Sequence, residues 1–174
     1  MNDLIRKQIN YAELNCITNF SFLKGASHPE ELVETAALNG YSAIAITDEC
    51  SFSGIIRAYK SAKKYKIKII VGSEFKVQEN LSLVLIANSK RAYEEISSVI
   101  TKGRSRGLKG DYVTVLDDML NLNNTIAIIN QHALKNVINK INFKNDKQNK
   151  KIFINQRDIL INTDFNLYLD VNNH

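Results

Sequence analysis

The sequence predicts an α/β fold built around a parallel sheet, and three observations predict it. Apolar, β-branched runs recur at 43–47, 67–72 and 83–87 with little polar alternation, the pattern of strands covered on both faces. Amphipathic stretches that open on capping residues lie between the early runs and after the last one. Finally, the strand ends carry polar side chains, Asn15, Asp48, Glu49 and Glu74. In a parallel sheet or barrel the carboxyl ends of the strands face one side, so these residues are expected to share a pocket.

The elements follow in order. A strand at 11–16 leads into a loop, and Ser27-His28-Pro29-Glu30 has the spacing of a capping box with proline in the first turn. The helix that follows carries Leu32, Val33, Ala36 and Ala37 on one stripe and stops at Asn39-Gly40. After the strand at 43–47, Ser53 is placed to cap a second helix, with Ile55, Ile56, Tyr59 and Ala62 inward and Arg57, Lys60, Lys63 and Lys64 toward water. Beyond the strand at 67–72, an extended 75–77 and a break at Glu79-Asn80 precede the strand at 83–87. Ser89 opens a third helix with Tyr93, Ile96, Val99 and Ile100 on its buried side, and periodicity is lost over 102–110. A short helix is expected at 115–120, strands at 125–129, 151–154 and 165–171, helices at 133–141 and about 156–161, and a polar loop at 142–150. Units of this length indicate a right-handed βα series. With no repeat and no linker, a single domain over 1–174 is expected.

Composition narrows the function classes. A length of 174 residues supports a real core, no apolar run is long enough to span a bilayer, and residues 1–10 lack the apolar segment of a signal peptide. The expectation is a cytoplasmic chain with no membrane partner. Cys16 and Cys50 are too few and too far apart for a disulfide framework or a thiolate zinc site, and small buried hydrophobes are their expected identity. His28, His132 and His174 lack ligand spacing. A net charge of +5 permits attraction to nucleic acid, although solvated helix faces account for such an excess equally well. Within 102–110, Lys102, Arg104, Arg106 and Lys109 alternate with glycines, so cations and backbone N–H groups could reach phosphates. The competing reading is a solvated connector, since no aromatic residue interleaves to stack on bases.

Longer strings carry a resemblance. Tyr11-Ala-Glu-Leu-Asn-Cys-Ile-Thr-Asn-Phe-Ser-Phe-Leu-Lys-Gly-Ala-Ser-His-Pro-Glu-Glu-Leu-Val33, Ala45-Ile-Thr-Asp-Glu-Cys-Ser-Phe-Ser-Gly54 and Ile70-Val-Gly-Ser-Glu-Phe75 resemble the polymerase-and-histidinol-phosphatase (PHP) domain that opens bacterial C-family DNA polymerases, the polymerase III alpha subunits. Ser-His-Pro-Glu-Glu-Leu and Thr-Asp-Glu-Cys are most similar to the error-prone branch. The resemblance covers roughly residues 11 to 112. It implies a PHP-type distorted seven-stranded (βα) barrel, incomplete at its C-terminal end, and a role in DNA replication and lesion bypass. The implied partners are the remaining polymerase domains or a downstream split polypeptide, with DNA engaged through the complete polymerase. The family's nucleotidyl-transfer carboxylates lie in a palm domain that no part of this chain resembles.

The same resemblance implies a site. Active PHP domains hold two or three metal ions through a His-x-His pair, an Asp, a Thr-Asp-His loop, a Gly-x-Glu and later histidines. Here Asn15 and Ile17 stand at the His-x-His positions, Lys24 at the Asp, Glu49 at the loop His and Ser82 at a later His, while Asp48 and Glu74 are retained. Loss of imidazoles weakens a transition-metal site, and an ammonium repels cations. The expectation is a degenerate site with no bound cofactor, in which retained carboxylates pair with Lys24. A magnesium site of Asp48, Glu49 and Glu74 stays open, because oxygen ligands suffice for it. A structural or scaffolding role with no polymerase active site in this chain is therefore what the resemblance implies, and two alternatives remain beside it: a stand-alone PHP-type metal-dependent phosphoesterase, and a basic nucleic-acid-binding module.

Overall fold

Pairing of apolar strands with short βα crossovers organises the first half of the chain. In the computed structural model, which describes residues 9–77, 81–120, 122–129, 152–153 and 160–161, β1 (Ile9–Glu13) pairs in parallel with β2 (Tyr41–Ile46), and β2 with β3 (Lys68–Lys76). Helices α1 (Pro29–Leu38) and α2 (Ile55–Tyr65) make the two crossovers. The expected βα series stops there. β4 (Ser82–Ala87) returns antiparallel to β3, because the connection over 77–81 is far shorter than the dozen residues a parallel crossover needs. α3 (Lys90–Arg106) and the single turn α4 (Asp117–Leu120) then lead to β5 (Thr125–Ile129), antiparallel to β4. The result is one mixed five-stranded sheet in the order β1-β2-β3-β4-β5. Two-residue strands β6 (Ile152–Phe153) and β7 (Leu160–Ile161) form a separate antiparallel pair. β7 therefore replaces the end of the helix expected over 156–161. The helix at 133–141, the loop at 142–150, the strand at 165–171, His132 and His174 lie outside the described residues.

Several boundaries shift for identifiable reasons. β1 ends at Glu13, so Asn15 lies past the strand. The capping box of α1 sits one residue later than expected: His28 is the N-cap, its N–H donates to Glu31 Oε2 at 2.8 Å, and Pro29 takes the first helical position, where its missing N–H costs nothing. Gly40 adopts φ +78° after α1, the left-handed turn that only glycine takes without strain. α2 begins after Gly54 rather than Ser53 and buries Ile55, Ala58, Ser61 and Ala62 against α1, so Ile56 and Tyr59 face outward. Small residues at that seam let the two helices approach closely.

α3 is longer than its periodicity suggests. It runs through the basic glycine segment to Arg106 and buries Ala92, Ile96, Val99 and Gly103, leaving Tyr93 largely exposed and stacked on Phe52. Gly103 is a packing device here, since a Cβ would come within 2.7 Å of Thr114 Cγ2 and 3.4 Å of Cys50 Sγ.

Two apolar clusters fill the space between sheet and helices. Val33, Ala36, Ile44, Ile46, Ile55, Ala58 and Ala62 pack beneath α1 and α2, and Phe75, Val77, Leu83, Leu85, Ile96 and Val99 lie beneath α3. A third, containing Ala45, Val84, Ile86 and Ile128, occupies the opposite face of the sheet beside a cavity of about 350 Å³. Burial on both faces explains the missing polar alternation in β2 and β4.

At the entry to β5, Glu95 of α3 accepts from the backbone N–H groups of Asn123 and Asn124, from Asn124 Nδ2 and from Thr125 Oγ1. Burial raises its pKa, but these bonds outweigh it and the carboxyl lies below the ordinary glutamate value. We expect Glu95→Ala to cost on the order of 1–3 kcal/mol by urea denaturation, with amide exchange rising first in β5. Uniform loss of protection across the sheet would show that Glu95 is not a local latch.

Candidate functional site

The residues singled out by sequence gather beyond the carboxyl ends of β1 and β2, along the stretch of β3 that outruns them. The parallel register of β2 and β3 ends at Ile46 and Val71, and β3 then continues to Lys76 in the hairpin with β4. Glu74 thus lies within a strand rather than at its end. A single parallel bridge joins it to Glu49, with Cys50 N–H donating to Glu74 O at 2.8 Å.

Asp48 is 1% exposed and is met by protein donors on both oxygens. Thr18 N–H and Oγ1 donate to Oδ1 at 2.9 Å, and the same hydroxyl lies 2.9 Å from Oδ2. Ser21 Oγ donates to Oδ1 at 2.8 Å and Gly54 N–H to Oδ2 at 3.1 Å. The last bond places a carboxylate at the N-terminus of α2, whose first turn carries no acidic residue. Gly54 is required by contact rather than by conformation: a Cβ would lie 2.4 Å from Asp48 Oδ2.

Glu49 faces cations. Lys24 Nζ forms an ion pair with its Oε2, Tyr112 Oη donates to Oε1 at 2.7 Å, and Lys76 Nζ stands 3.9 Å away. Burial would raise its pKa, but the bonds from Lys24 and Tyr112 prevail and the carboxyl is held below the ordinary glutamate value. The Tyr112 hydroxyl is pushed up by its own burial and by the Glu49 carboxylate. Beneath this pair, Arg104 donates to Cys50 O and Glu49 O, both at 3.2 Å, and lies over the Tyr112 ring at 5.2 Å.

The remaining residues close the rim. Ser82 Oγ donates to Glu74 Oε1, and Thr47 Oγ1 donates to Asn15 Oδ1 at 2.9 Å. Ile17 contributes a half-buried apolar side chain. Sequence reasoning missed Thr18, Ser21, Gly54, Lys76 and Tyr112. Thr18, Ser21 and Gly54 lie within the strings that carry the resemblance and Lys76 directly follows one; Tyr112 reaches Glu49 across 63 positions, with no local signal.

The basic segment is arranged differently from a phosphate-binding loop. Lys102, Arg104 and Arg106 belong to the last turns of α3, with Lys109 beyond it. Arg104 is engaged as described, and Arg106 forms a two-pronged ion pair with Asp118 of α4. Cys16 is a half-buried and Cys50 a buried free thiol, and burial pushes each up to about 11.

A metal cluster of the PHP kind needs several imidazoles and carboxylates with lone pairs free to converge. The residues at those positions do not fit it: Asp48 spends both oxygens on protein donors, Glu49 is met by Lys24 and Tyr112, and Glu74 by Ser82. Among the described residues, no group of three or more His, Cys, Asp or Glu side chains is placed to hold a metal ion.

The PHP domain family model matches residues 13–174. This chain belongs to the PHP domain family. Among curated proteins it is similar to the error-prone DNA polymerase of Dechloromonas aromatica, 50% identical over 109 residues that make up 63% of this chain and 11% of that protein. The error-prone DNA polymerases of Pseudomonas paraeruginosa and Saccharophagus degradans match at 47% and 46% identity, over 63% and 64% of this chain and 11% of each relative. The PHP chain therefore spans about a tenth of the length of these relatives. Among solved structures, a protein from Bifidobacterium adolescentis provisionally described as a metal-dependent phosphoesterase superposes with a TM-score of 0.46 at 23% identity, covering 55% of this chain and 34% of that one.

Two measurements probe the site. Asp48→Ala leaves four buried donors without an acceptor, and we expect a loss of about 3 kcal/mol or more by urea denaturation; Gly54→Ala, which drives a methyl into Asp48, is expected to cost roughly 1–3 kcal/mol. A neutral effect of both would mean that the carboxylate ties nothing together. For Glu49 the folded pKa lies below the unfolded one, so its contribution is present above the ordinary glutamate value and is lost as pH falls through the folded pKa. Stability of Glu49→Gln should therefore fall less steeply than that of the native chain on acidification, and parallel slopes would refute the assignment.

Proposed function

We propose that this chain is the PHP region of an error-prone DNA polymerase of the polymerase III alpha type, a cytoplasmic protein of DNA replication and lesion bypass, and that the region serves as a scaffold with a degenerate metal site. The observation that carries the scaffold reading is the Lys24 ammonium paired with Glu49. It puts a positive charge in the rim where the family places a metal-binding Asp, and Coulomb repulsion opposes a divalent ion beside it. The saturated oxygens of Asp48 support the same reading, since a carboxylate fully used by protein donors has no lone pair to offer. Similarity to polymerases over about a tenth of their length supports the assignment to a larger polymerase. In that family, nucleotide incorporation belongs to palm-domain carboxylates, and DNA is engaged through the complete enzyme.

Metal analysis tests the reading directly. Purified chain dialysed after exposure to zinc, manganese or magnesium should retain no stoichiometric metal, release no nitrophenol from nitrophenyl phosphate and extend no primer. Restoring the family's ligand types with Asn15→His, Ile17→His, Lys24→Asp and Glu49→His together should make the melting temperature rise with added manganese, because a ligand that binds only the folded state stabilises it. Metal-dependent phosphate release by the unaltered chain would favour the phosphoesterase alternative.

A further inference from the structure

Six positions after Glu13, the chain makes a tight loop over 19–25 whose root and tip have opposite character. Ser21 is the root. Its N–H donates to Thr18 O at 2.9 Å, its carbonyl accepts from the N–H groups of Lys24 and Gly25 at 3.0 Å, and its hydroxyl donates to Asp48 while accepting from Glu49 N–H at 2.9 Å. Lys24 pins the other side through Glu49, and Gly25 packs so closely on Thr18 that a Cβ would fall 2.0 Å from its carbonyl oxygen.

The tip is apolar and in water. Phe22 and Leu23 are 83% and 90% exposed, Phe20 is 44% exposed, and neither Phe22 nor Leu23 belongs to any of the three apolar clusters. Leu23 also adopts φ +59°, a left-handed conformation that a leucine takes only when its surroundings impose it. Single exposed apolar residues are ordinary, but two adjacent ones held out by a strained, many-times-anchored turn are not. They add nothing to the packing of the described fold.

We propose that Phe22 and Leu23 form an apolar knob that docks on the polymerase portion lying beyond the PHP region in the full-length relatives, a proposal that rests on the polymerase reading above. Two observations select this occupant over a second copy of the chain. The matched region is 11% of each relative, so most of the surface available for a contact lies outside it. The knob is also small: two such side chains offer roughly 300–400 Å², well short of the roughly 1,200 Å² that a freestanding complex buries. A contact of that size suffices between parts of one polypeptide, where the effective concentration is high. On this view the remnant site has a use. Asp48, through Ser21, and Glu49, through Lys24, hold the knob in its presenting geometry.

The test uses the full-length error-prone polymerase of Dechloromonas aromatica with the photoreactive residue benzoylphenylalanine at the position aligned with Phe22. Illumination and peptide mapping should yield crosslinks to residues beyond the PHP region; crosslinks confined to the PHP region, crosslinks between copies, or none would overturn the proposal. The polymerase reading is tested separately by the metal and nitrophenyl phosphate assays above, so metal-dependent phosphate release by the present chain counts against that reading and not against the knob. In the present chain, Phe22→Ser with Leu23→Ser should shift the melting temperature by less than about 2 °C and leave sedimentation unchanged. A fall of more than about 5 °C would place the two side chains in the fold's own core. A native dimer abolished by the variant would make a second copy the occupant. Either result would sink the proposal.

Discussion

The buried carboxylate of Asp48 is the constraint on which the rim of this fold depends. A charge that is 1% exposed cannot stay there without full hydrogen bonding, and its donors come from separate segments: Thr18 and Ser21 from the loop after β1, and Gly54 from the start of α2. One side chain thereby ties the first crossover to the second. It also supplies α2 with the negative charge its first turn lacks. The apolar clusters hold the sheet to its helices, but they leave the loops beyond the strand ends to polar bonds of this kind.

A second ring of contacts fixes the loop that carries Asp48. Ser73 Oγ donates to Asp48 O at 2.8 Å and accepts from Ser51 N–H at 3.0 Å, so β3 braces the backbone on either side of Glu49 and Cys50. Cys50 adopts φ +44°, and its carbonyl and that of Glu49 both accept from Arg104. Arg104 can reach them only because α3 passes close by, and that approach depends on the missing side chain at Gly103. Arg104, whose charge and glycine neighbours suggest a phosphate contact, also braces a helix end against a loop.

The parts of this architecture written in local pattern were legible in the sequence. Apolar runs located β2, β4 and β5, Ser89 and Pro29 located helix starts, and Gly40 a helix stop, because each reports a short-range physical need. What failed were features decided at a distance. The glycines at 103 and 107 suggested a loop, whereas packing against Thr114 keeps the first of them helical. Ile56 and Tyr59 fitted an inward stripe, but the α1–α2 seam selects Ala58, Ser61 and Ala62 for their size. The β3–β4 hairpin was hidden by the expectation of continued crossovers, although the break between the runs was already too short for one. Within the site, residue identities pointed to the ends of β1 and β2 but placed Glu74 at a strand end, whereas it lies inside β3; the partners Tyr112 and Lys76 were not marked, since nothing local signals a contact made across the sheet.

Side-chain pairs hold strand ends together differently from a metal cluster. A divalent ion would draw several carboxylates to one point and leave their stability dependent on its supply. Here the bonds are divided among separate pairs, Asp48 with Thr18, Ser21 and Gly54, Glu49 with Lys24 and Tyr112, and Glu74 with Ser82. The Lys24 and Glu49 side chains remain 27% and 15% exposed, so their attraction is partly screened and contributes modestly on its own. Its value is positional: the ammonium fixes the far side of the 19–25 loop while Asp48 fixes the near side. Dividing the bonds in this way lets each loop hold its geometry through protein partners of its own, as the scaffold role proposed above requires.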